Sequence, residues 1–249
     1  MWKLLKNRIE QGYRTQVFPP AQPLPKEFRG RPKLYPERCL PGCDQCISRC
    51  PTEALKTSPL ELDLAKCVFC GACEEACPQH AIEFTPDYSM AAGRLEDLRV
   101  IDDTLHRVDA LKKELLRLFG RSLKLREVSA GSCNGCDLEI QALGNIVFDW
   151  SQFGIQIVAS PRHADGLIVT GPVSRNMELA LRKTYEAVPD PRLVIAVGAC
   201  ALSGGVFAGS PAVGSGVAPV IPVDLYIPGC PPHPLTILDG VLRLLNRLK

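Results

Sequence analysis

The sequence predicts a two-part α/β protein: a small α+β module followed by a mostly parallel α/β domain. Three observations carry this reading. Eight cysteines fall in two matched runs, Cys39, Cys43, Cys46, Cys50 and Cys67, Cys70, Cys73, Cys77, whose flanks repeat at an offset of about 27 residues, the separation of Cys50 and Cys77. From Leu123 onward short apolar strands alternate with helical patterns, as in a sheet covered on both faces. The last four cysteines, Cys133, Cys136, Cys200 and Cys230, follow candidate strands of that second part.

Residues 1–38 are basic and proline-rich and read as an extended docking arm. Trp2, Leu5 and Ile9 share one face of a short helix. Six prolines between Phe18 and Pro36 favour extended backbone that needs a surface to lie on. Residues 39–90 hold the cysteine runs. Cys50-Pro51-Thr52-Glu53-Ala54-Leu55 mirrors Cys77-Pro78-Gln79-His80-Ala81-Ile82. Each half is expected to supply a short strand, a loop and a helical turn.

Residues 91–122 read as a linker helix, because Leu95, Leu98, Ile101, Leu105, Val108, Leu111, Leu115 and Leu118 recur at steps of three and four before Gly120. The second domain, 123–249, has candidate strands at Leu123–Val128, Ile155–Ala159, Gly166–Thr170, Leu193–Val197 and Val223–Ile227. Its candidate helices are Asp137–Phe148, Asn176–Val188 and Pro234–Leu248. Residues 203–220, rich in Gly, Ser, Ala and Val without a period, read as an irregular loop.

A chain of 249 residues with 46% hydrophobic content has enough apolar surface for a packed core. The formal charge of +2 and the lack of a basic stripe interleaved with aromatics give no support for nucleic-acid binding. No apolar run reaches the roughly 18 residues of a membrane span. Met1 to Glu10 lacks the apolar stretch of a secretory signal. A cytoplasmic location is therefore expected, where dense cysteine spacing favours metal over disulfides.

The second run, Cys67-x2-Cys70-x2-Cys73-x3-Cys77-Pro78, has the bacterial ferredoxin spacing. In that arrangement three cysteines wrap one cluster and the fourth ligates the other. Cys39, Cys43, Cys46 and Cys77 are thus expected to hold cluster 1, and Cys50, Cys67, Cys70 and Cys73 cluster 2. Gly71 suits close backbone approach to sulfur. The first run departs from the pattern: three residues separate Cys39 from Cys43, where two are usual, and the Pro41-Gly42 turn has to absorb the extra one. Paired Cys-x2-Cys units also build tetrahedral zinc sites, so a zinc-stabilised scaffold is the competing reading; duplicated runs ending in Cys-Pro argue against it.

Cys133 and Cys136 follow the first strand of the second domain, Cys200 follows Leu193–Val197, and Cys230 follows Val223–Ile227. In open α/β sheets that edge is the ligand crevice. Gly131, Gly135, Gly198 and Gly229 lie beside these cysteines, and Pro231 and Pro232 fix the last loop. The competing reading makes Cys200 and Cys230 small apolar core residues. Twelve cysteines in three sets of four leave none over, as three 4Fe-4S clusters would require.

Gly131-Ser-Cys-Asn-Gly-Cys-Asp-Leu-Glu139, Ser160-Pro-Arg-His-Ala-Asp165, Val197-Gly-Ala-Cys200 and Ile227-Pro-Gly-Cys-Pro-Pro232 resemble the small subunit of energy-converting, membrane-bound NiFe hydrogenases. The same region is similar to the complex I subunit that carries its terminal iron–sulfur cluster. Residues 1–85, including Phe28-Arg-Gly-Arg-Pro32, resemble the ferredoxin-like subunit of the formate hydrogenlyase type, so the chain looks like a fusion of the two. The resemblance implies a two-cluster ferredoxin module joined to a flavodoxin-like α/β domain. It also implies that Cys133, Cys136, Cys200 and Cys230 hold the cluster proximal to a NiFe site in a separate large subunit. Complex I relatives carry adjacent cysteines where this chain has Asn134-Gly135 between Cys133 and Cys136, which favours a hydrogenase over a quinone-reducing partner.

The implied function is electron transfer within an oxidoreductase complex, with no complete active site in this chain. The implied partners are the hydrogenase large subunit or its complex I-like homologue, integral membrane subunits, and an upstream donor such as ferredoxin or formate dehydrogenase. The complex would sit peripherally on the inner face of the cell membrane. Glu139, three residues after Cys136, is a candidate proton relay or a helix N-terminal charge. Arg162 and His163 are candidates for tuning the cluster or contacting the large subunit, against ordinary surface solvation. His80 and His233 follow cluster cysteines, but no ligand role is needed for either.

Overall fold

The computed structural model describes residues 2–12, 17–20, 24–25, 27–101 and 104–248. In chain order the elements begin with helix α1 (Trp2–Gln11), strand β1 (Pro32–Leu34), helix α2 (Gln45–Arg49), and strands β2 (Leu55–Thr57) and β3 (Leu60–Asp63). Helix α3 (Ala72–Ala76), strand β4 (Ile82–Phe84) and strand β5 (Arg99–Ile101) complete the first module. Then come helix α4 (Lys113–Phe119), strand β6 (Leu123–Ser129), helix α5 (Gly135–Ala142), and strands β7 (Ile155–Ile157) and β8 (Gly166–Thr170). Helix α6 (Arg175–Glu186), strand β9 (Leu193–Val197), helix α7 (Ala199–Ser203), strand β10 (Leu225–Ile227) and helix α8 (Pro234–Leu244) finish the chain. Among the described residues no helix is long and apolar enough to cross a membrane.

The internal repeat is reproduced in space. Helices α2 and α3, and strands β2 and β4, occupy positions separated by the same offset as Cys50 and Cys77. Strand β1 pairs antiparallel with β4, and β2, β3 and β5 form a three-stranded antiparallel sheet. The second domain is a five-stranded, all-parallel sheet in the order β10-β9-β8-β6-β7. Numbered within the domain, this is the 2-1-3-4-5 order of doubly wound flavodoxin-like folds. Strands β8 and β9 are buried along their whole length, and side-chain alternation sorts their residues to two faces. Leu167, Val169, Val194 and Ala196 join a core shared with Leu62, Leu98 and Val100 of the first module. Ile168, Leu193, Ile195 and Val197 join a second core with Leu123, Ile155 and α8.

The two parts are therefore one packed body along their seam. Ala92 and Tyr226 exchange backbone hydrogen bonds of 3.0 and 2.9 Å beside β10. Ser203 Oγ donates to the Ala65 carbonyl at 2.8 Å. Ser89 Oγ donates to buried Asp239 at 2.6 Å, and Arg243 Nε donates to the same carboxylate at 2.8 Å.

Three sequence expectations need correction. The linker helix over 91–122 is absent outside α4: Leu95–Leu98 is a 3-10 turn, Arg99–Ile101 is β5, and residues 105–112 are extended or irregular. Its apolar period has two origins. Leu98 and Val100 are buried in the first core, and Val108 in the second. A straight helix cannot serve both, and tertiary packing overrides local periodicity. Asp102 and Asp103 lie outside the described residues. The docking arm also ends earlier than residue 38, since Pro32–Leu34 is a strand of the first module and Gly30 and Arg31 bond to Thr85 and Asp87. Residues 13–16, 21–23 and 26 of the arm lie outside the described residues. Third, the α/β helices stop short: the first ends at Ala142, after which Asn145 Oδ1 accepts from the Val147 and Phe148 amides, and the last ends at Leu244.

Asp239→Ala leaves Ser89 and Arg243 without their shared acceptor across the seam. The expected loss is about 2 kcal/mol of unfolding free energy, read as a lowered denaturant midpoint at unchanged slope.

Candidate functional site

The chain gathers its cysteines from short loops at element ends. Cys39 follows the 3-10 turn Pro36–Arg38, and its amide donates to the Pro36 carbonyl at 3.1 Å. Pro41-Gly42 turns the chain, with Gly42 at φ +77° and the Cys43 amide on the Leu40 carbonyl at 3.1 Å. The extra residue between Cys39 and Cys43 is taken up in this turn. Cys46 sits in α2, and Cys77 arrives from the end of α3. These four side chains line one cavity with apolar neighbours including Leu60 and Ile82. Cys50, Cys67, Cys70 and Cys73 line a second cavity with Leu55, Leu62 and Phe84. The unfilled space, adjoining solvent included, is about 350 Å³ in the first and 290 Å³ in the second. The last cysteine of each run thus stands with the first three of the other.

Repeat symmetry extends to the hydrogen bonds. The Ala54 amide donates to Cys50 Sγ at 3.3 Å, and the Ala81 amide donates to Cys77 Sγ at 3.2 Å. Preceding them, Glu53 and His80 both adopt left-handed backbone, φ +51° and +49°. Such conformations are uncommon outside glycine. Here each turns the next N–H back onto sulfur. His80 therefore serves through its backbone. The Phe69 amide adds a bond to Cys67 Sγ at 3.4 Å.

The third set lies at the C-terminal edge of the parallel sheet. Asn134, left-handed at φ +69°, turns the chain into α5 between Cys133 and Cys136. Cys200 is on α7, a helix too short to show a period in sequence, and Cys230 is in the loop after β10. The β9 and β10 exits are stitched by the Gly198 amide on the Ile227 carbonyl and the Ala199 amide on the Gly229 carbonyl, both 2.8 Å. A Cβ at Gly198 would stand 2.4 Å from Cys136 Sγ, and one at Gly205 2.9 Å from Cys200 Sγ. The glycines keep these thiols clear.

Burial and mutual proximity raise the thiol pKa values. Desolvation lifts Cys67 well above its ordinary value, with Cys73, Cys50 and Cys70 adding to it. Cys73 is pushed up to about 12 by burial and then by Cys50 and Cys70. Desolvation and then Cys43 and Cys77 raise Cys39. In the third set Cys136 reaches about 12 and Cys200 about 11, from burial first and the facing thiols second. Four thiolates at one place need a compensating cation, and metal loading must release their protons. Among the described residues no three of His, Cys, Asp and Glu converge as a site for one metal ion. The thiols instead surround cavities, with backbone N–H groups aimed at sulfur and glycines where a Cβ would intrude. That donor set fits cubane iron–sulfur clusters.

Glu139 is on α5 and lines a cavity whose unfilled space, adjoining solvent included, is about 780 Å³, together with Cys230, His233, Phe69 and Arg29. Desolvation raises its pKa. His233 caps α8, its Nδ1 accepting from the Leu235 amide at 3.2 Å, and its ring meets Phe28 and Phe148 edge-on. Burial lowers its pKa. Arg162 and His163 lie in a 3-10 turn beyond edge strand β7, with no side chain of that turn buried. An acid pair, buried Asp137 and half-buried Glu127, escaped the sequence reading. Asp137, next to Cys136, accepts from Ser132 Oγ and from Thr170 Oγ1, the latter at 2.8 Å. Glu127 on β6 has one buried carboxyl oxygen without a hydrogen-bond partner and lies close enough to Asp137 to feel its charge. Desolvation, then the Asp137 charge, lifts Glu127 to about 7. The only local signal was a Ser-x4-Asp spacing at the start of α5.

A module with exchanged cysteine ligands, joined to a parallel sheet that carries four thiols at one edge, defines an iron–sulfur protein of the electron-transfer class. A family described as NADH ubiquinone oxidoreductase, 20 kDa subunit, matches residues 133–244, and a 4Fe-4S binding domain matches residues 60–83. A probable membrane-bound hydrogenase subunit, mbhJ, of Pyrococcus furiosus is 47% identical over 135 residues, 54% of this chain and 81% of the relative. Formate hydrogenlyase subunit 7 of Escherichia coli is 42% identical over 142 residues, 57% of this chain and 56% of the relative. An NADH-quinone oxidoreductase subunit of Desulfovibrio desulfuricans is 46% identical over 127 residues, 51% of this chain and 68% of the relative. The chain belongs to the family of NADH ubiquinone oxidoreductase 20 kDa subunits, whose members here serve hydrogenase and quinone oxidoreductase complexes.

Glu127 binds a proton in the folded chain that it loses in the unfolded chain between the ordinary carboxylate range and about pH 7. The folded state therefore holds more protons in that window, and this contribution to stability is lost as pH rises through it. Glu127→Gln removes the titration. Chemical denaturation from pH 5 to 8 is expected to show the wild type losing stability relative to the variant as pH increases.

Proposed function

We propose that this chain is the electron-relay subunit of a membrane-bound, formate hydrogenlyase-like hydrogenase complex, with three 4Fe-4S sites in one polypeptide. The observation that carries the reading is the sorting of all twelve cysteines into three groups of four. Cys39, Cys43, Cys46 and Cys77 are assigned to cluster 1; Cys50, Cys67, Cys70 and Cys73 to cluster 2; Cys133, Cys136, Cys200 and Cys230 to the proximal cluster. Such a cluster supplies a one-electron carrier whose potential follows local charge, burial and hydrogen bonds to sulfur. The chain's own part is to hold the thiols, exclude water from them and fix the spacing between sets.

The order of sites is supported by two cavities at the seam. Val68 and Phe69, from the loop holding Cys67 and Cys70, line one cavity with Cys230. Pro51, Glu53 and Lys66 line another with Ser203 and Gly205 of the Cys200 loop. Cluster 2's loops thus adjoin the third set, while cluster 1's cavity is walled by Arg38, Gln45 and Gln79. The working domains are an arm up to about residue 30, a ferredoxin module to Ile101, a connecting segment, and the α/β domain from Leu123.

The Asn134-Gly135 spacer favours a NiFe large subunit as the partner at the Cys133–Cys230 edge. A quinone-reducing, complex I-like partner is the second reading, supported by similarity to the NADH-quinone oxidoreductase subunits. Integral membrane subunits and a donor such as ferredoxin or formate dehydrogenase complete the proposed complex, which lies on the inner face of the membrane. Helix α1 supports docking: Trp2 and Ile9 are each 81% exposed and Leu5 54%, and α1 has no buried residue.

Anaerobically purified protein is expected to contain about twelve irons and as many acid-labile sulfides per chain. Cys230→Ser should remove about four of each and one reduced-state EPR signal, leaving the other two. Zinc without sulfide would replace this reading with the scaffold alternative. Co-purification with a nickel-containing large subunit decides for the hydrogenase; a nickel-free one decides for the second reading. Deleting residues 1–12 is expected to leave iron content unchanged and to weaken retention in the membrane fraction.

A further inference from the structure

The tetrapeptide Phe28-Arg29-Gly30-Arg31 crosses the seam and is fixed at three of its four positions. The Phe28 ring packs edge-on against His233, centroids 5.4 Å apart. Gly30 is pressed onto the 85–87 segment: its amide donates to the Thr85 carbonyl at 2.8 Å, and a Cβ would stand 2.2 Å from the Asp87 carbonyl oxygen. The Arg31 amide donates to the Asp87 carbonyl at 2.7 Å, and its guanidinium pairs with the Asp87 carboxylate at 3.2 Å. Between these anchors the Arg29 guanidinium lies against Gly71, where an ideal Cβ would meet Nε at 2.7 Å and Cζ at 3.0 Å. Gly71, left-handed at φ +82°, directly follows Cys70 and precedes the helix that carries Cys73. Arg29 also lines the cavity that holds Cys230 and Glu139.

We propose that Arg29 is a potential-setting residue for the site formed by Cys50, Cys67, Cys70 and Cys73. The inference rests on the assignment of a cluster to those thiols. A guanidinium stays charged at every accessible pH. Its side chain is exposed, but it lies against Gly71 in the wall of a cavity otherwise lined by Leu55, Leu62 and Phe84, and from there it favours the more negative, reduced state of whatever those thiols bind. The first cavity has a cation of its own, Arg38, which lines it and stacks on the Tyr35 ring, 3.9 Å from its centroid. The charge of Arg29 therefore raises the potential of the second site alone. Glu27 and Glu139 line the same groove as Arg29, and Glu74 and Glu75 lie on α3.

The test is an EPR-monitored redox titration of the full, cluster-loaded chain as wild type, Arg29→Gln and Arg29→Lys, with iron and sulfide measured on each sample. Arg29→Gln is expected to lower the midpoint of one cluster and leave the other two in place; Arg29→Lys, which keeps the charge and loses the planar packing, is expected to retain the wild-type midpoint. Unchanged midpoints in Arg29→Gln with full iron content overturn the proposal, and so does a uniform shift of all three. If Arg29→Gln does not load, Arg29→Lys decides alone: a retained midpoint supports the charge, and a lowered one assigns the effect to packing. Wild-type protein lacking iron at the second set would instead sink the cluster assignment itself.

Discussion

Four thiolates cannot be buried in one place without a compensating cation, and the rest of the architecture follows from meeting that constraint. All three sets place cysteines at element ends beside glycine or left-handed backbone where a side chain would collide, and in the first two sets backbone N–H groups are also turned onto sulfur. In the module this arrangement is repeated, with Glu53 and His80 in matching left-handed conformations and the Ala54 and Ala81 amides on matching sulfurs. At the sheet edge, Gly198 and Gly205 stand clear of Cys136 and Cys200. The raised thiol pKa values measure what the bound group must offset.

A relay also needs fixed distances between its sites, which a flexible linker would not supply. The segment from residue 91 to 112 lies across both cores in place of a free helix. Leu98 and Val100 are buried with the first, Val108 with the second, and Ala92 adds a backbone pair beside β10. Ser89, Asp239 and Arg243 form a polar tie at the same seam. Because one core runs from Leu34 through the sheet to Tyr226, displacement of the module costs apolar burial as well as hydrogen bonds. The fusion of ferredoxin-like and 20 kDa-subunit-like parts is thus expressed as a continuous interior.

The elements most legible in the sequence were those with a single environment. Gly166–Thr170 and Leu193–Val197 are buried on both faces, so an uninterrupted apolar run with polar flanks marks them at both ends. The grouping of cysteines was legible because ligand spacing is local within each run and the sheet topology brings strand exits together. The 94–119 periodicity misled because its apolar residues answer to two cores, and a spacing of three and four does not distinguish one helical stripe from that partition. Ala199–Ser203 has too few residues to carry a period. The Glu127–Asp137 pair depends on β6 lying under α5, and Arg29 over Gly71 depends on how the arm crosses the module. Neither contact leaves a trace in spacing along the chain.

The three sites differ in how much charge surrounds them, and this decides where the protein is able to control electron flow. The two module cavities are walled by Leu60 and Ile82, and by Leu55, Leu62 and Phe84. Inside such walls a fixed charge acts strongly, because little water screens it. The seam is the opposite: Glu27, Arg29, Glu139 and His233 surround the space between Phe69 and Cys230. Behind the third set, burial and the neighbouring Asp137 charge raise the Glu127 pKa to about 7. Charges that the fold keeps away from the module interior are concentrated on the side facing the sheet-edge thiols. Burial shifts Glu139 and His233 at that boundary, while Arg29 beside them keeps its charge at every accessible pH. The chain therefore keeps its two module cavities largely apolar and concentrates charged and titratable groups where the module meets the sheet-edge thiols.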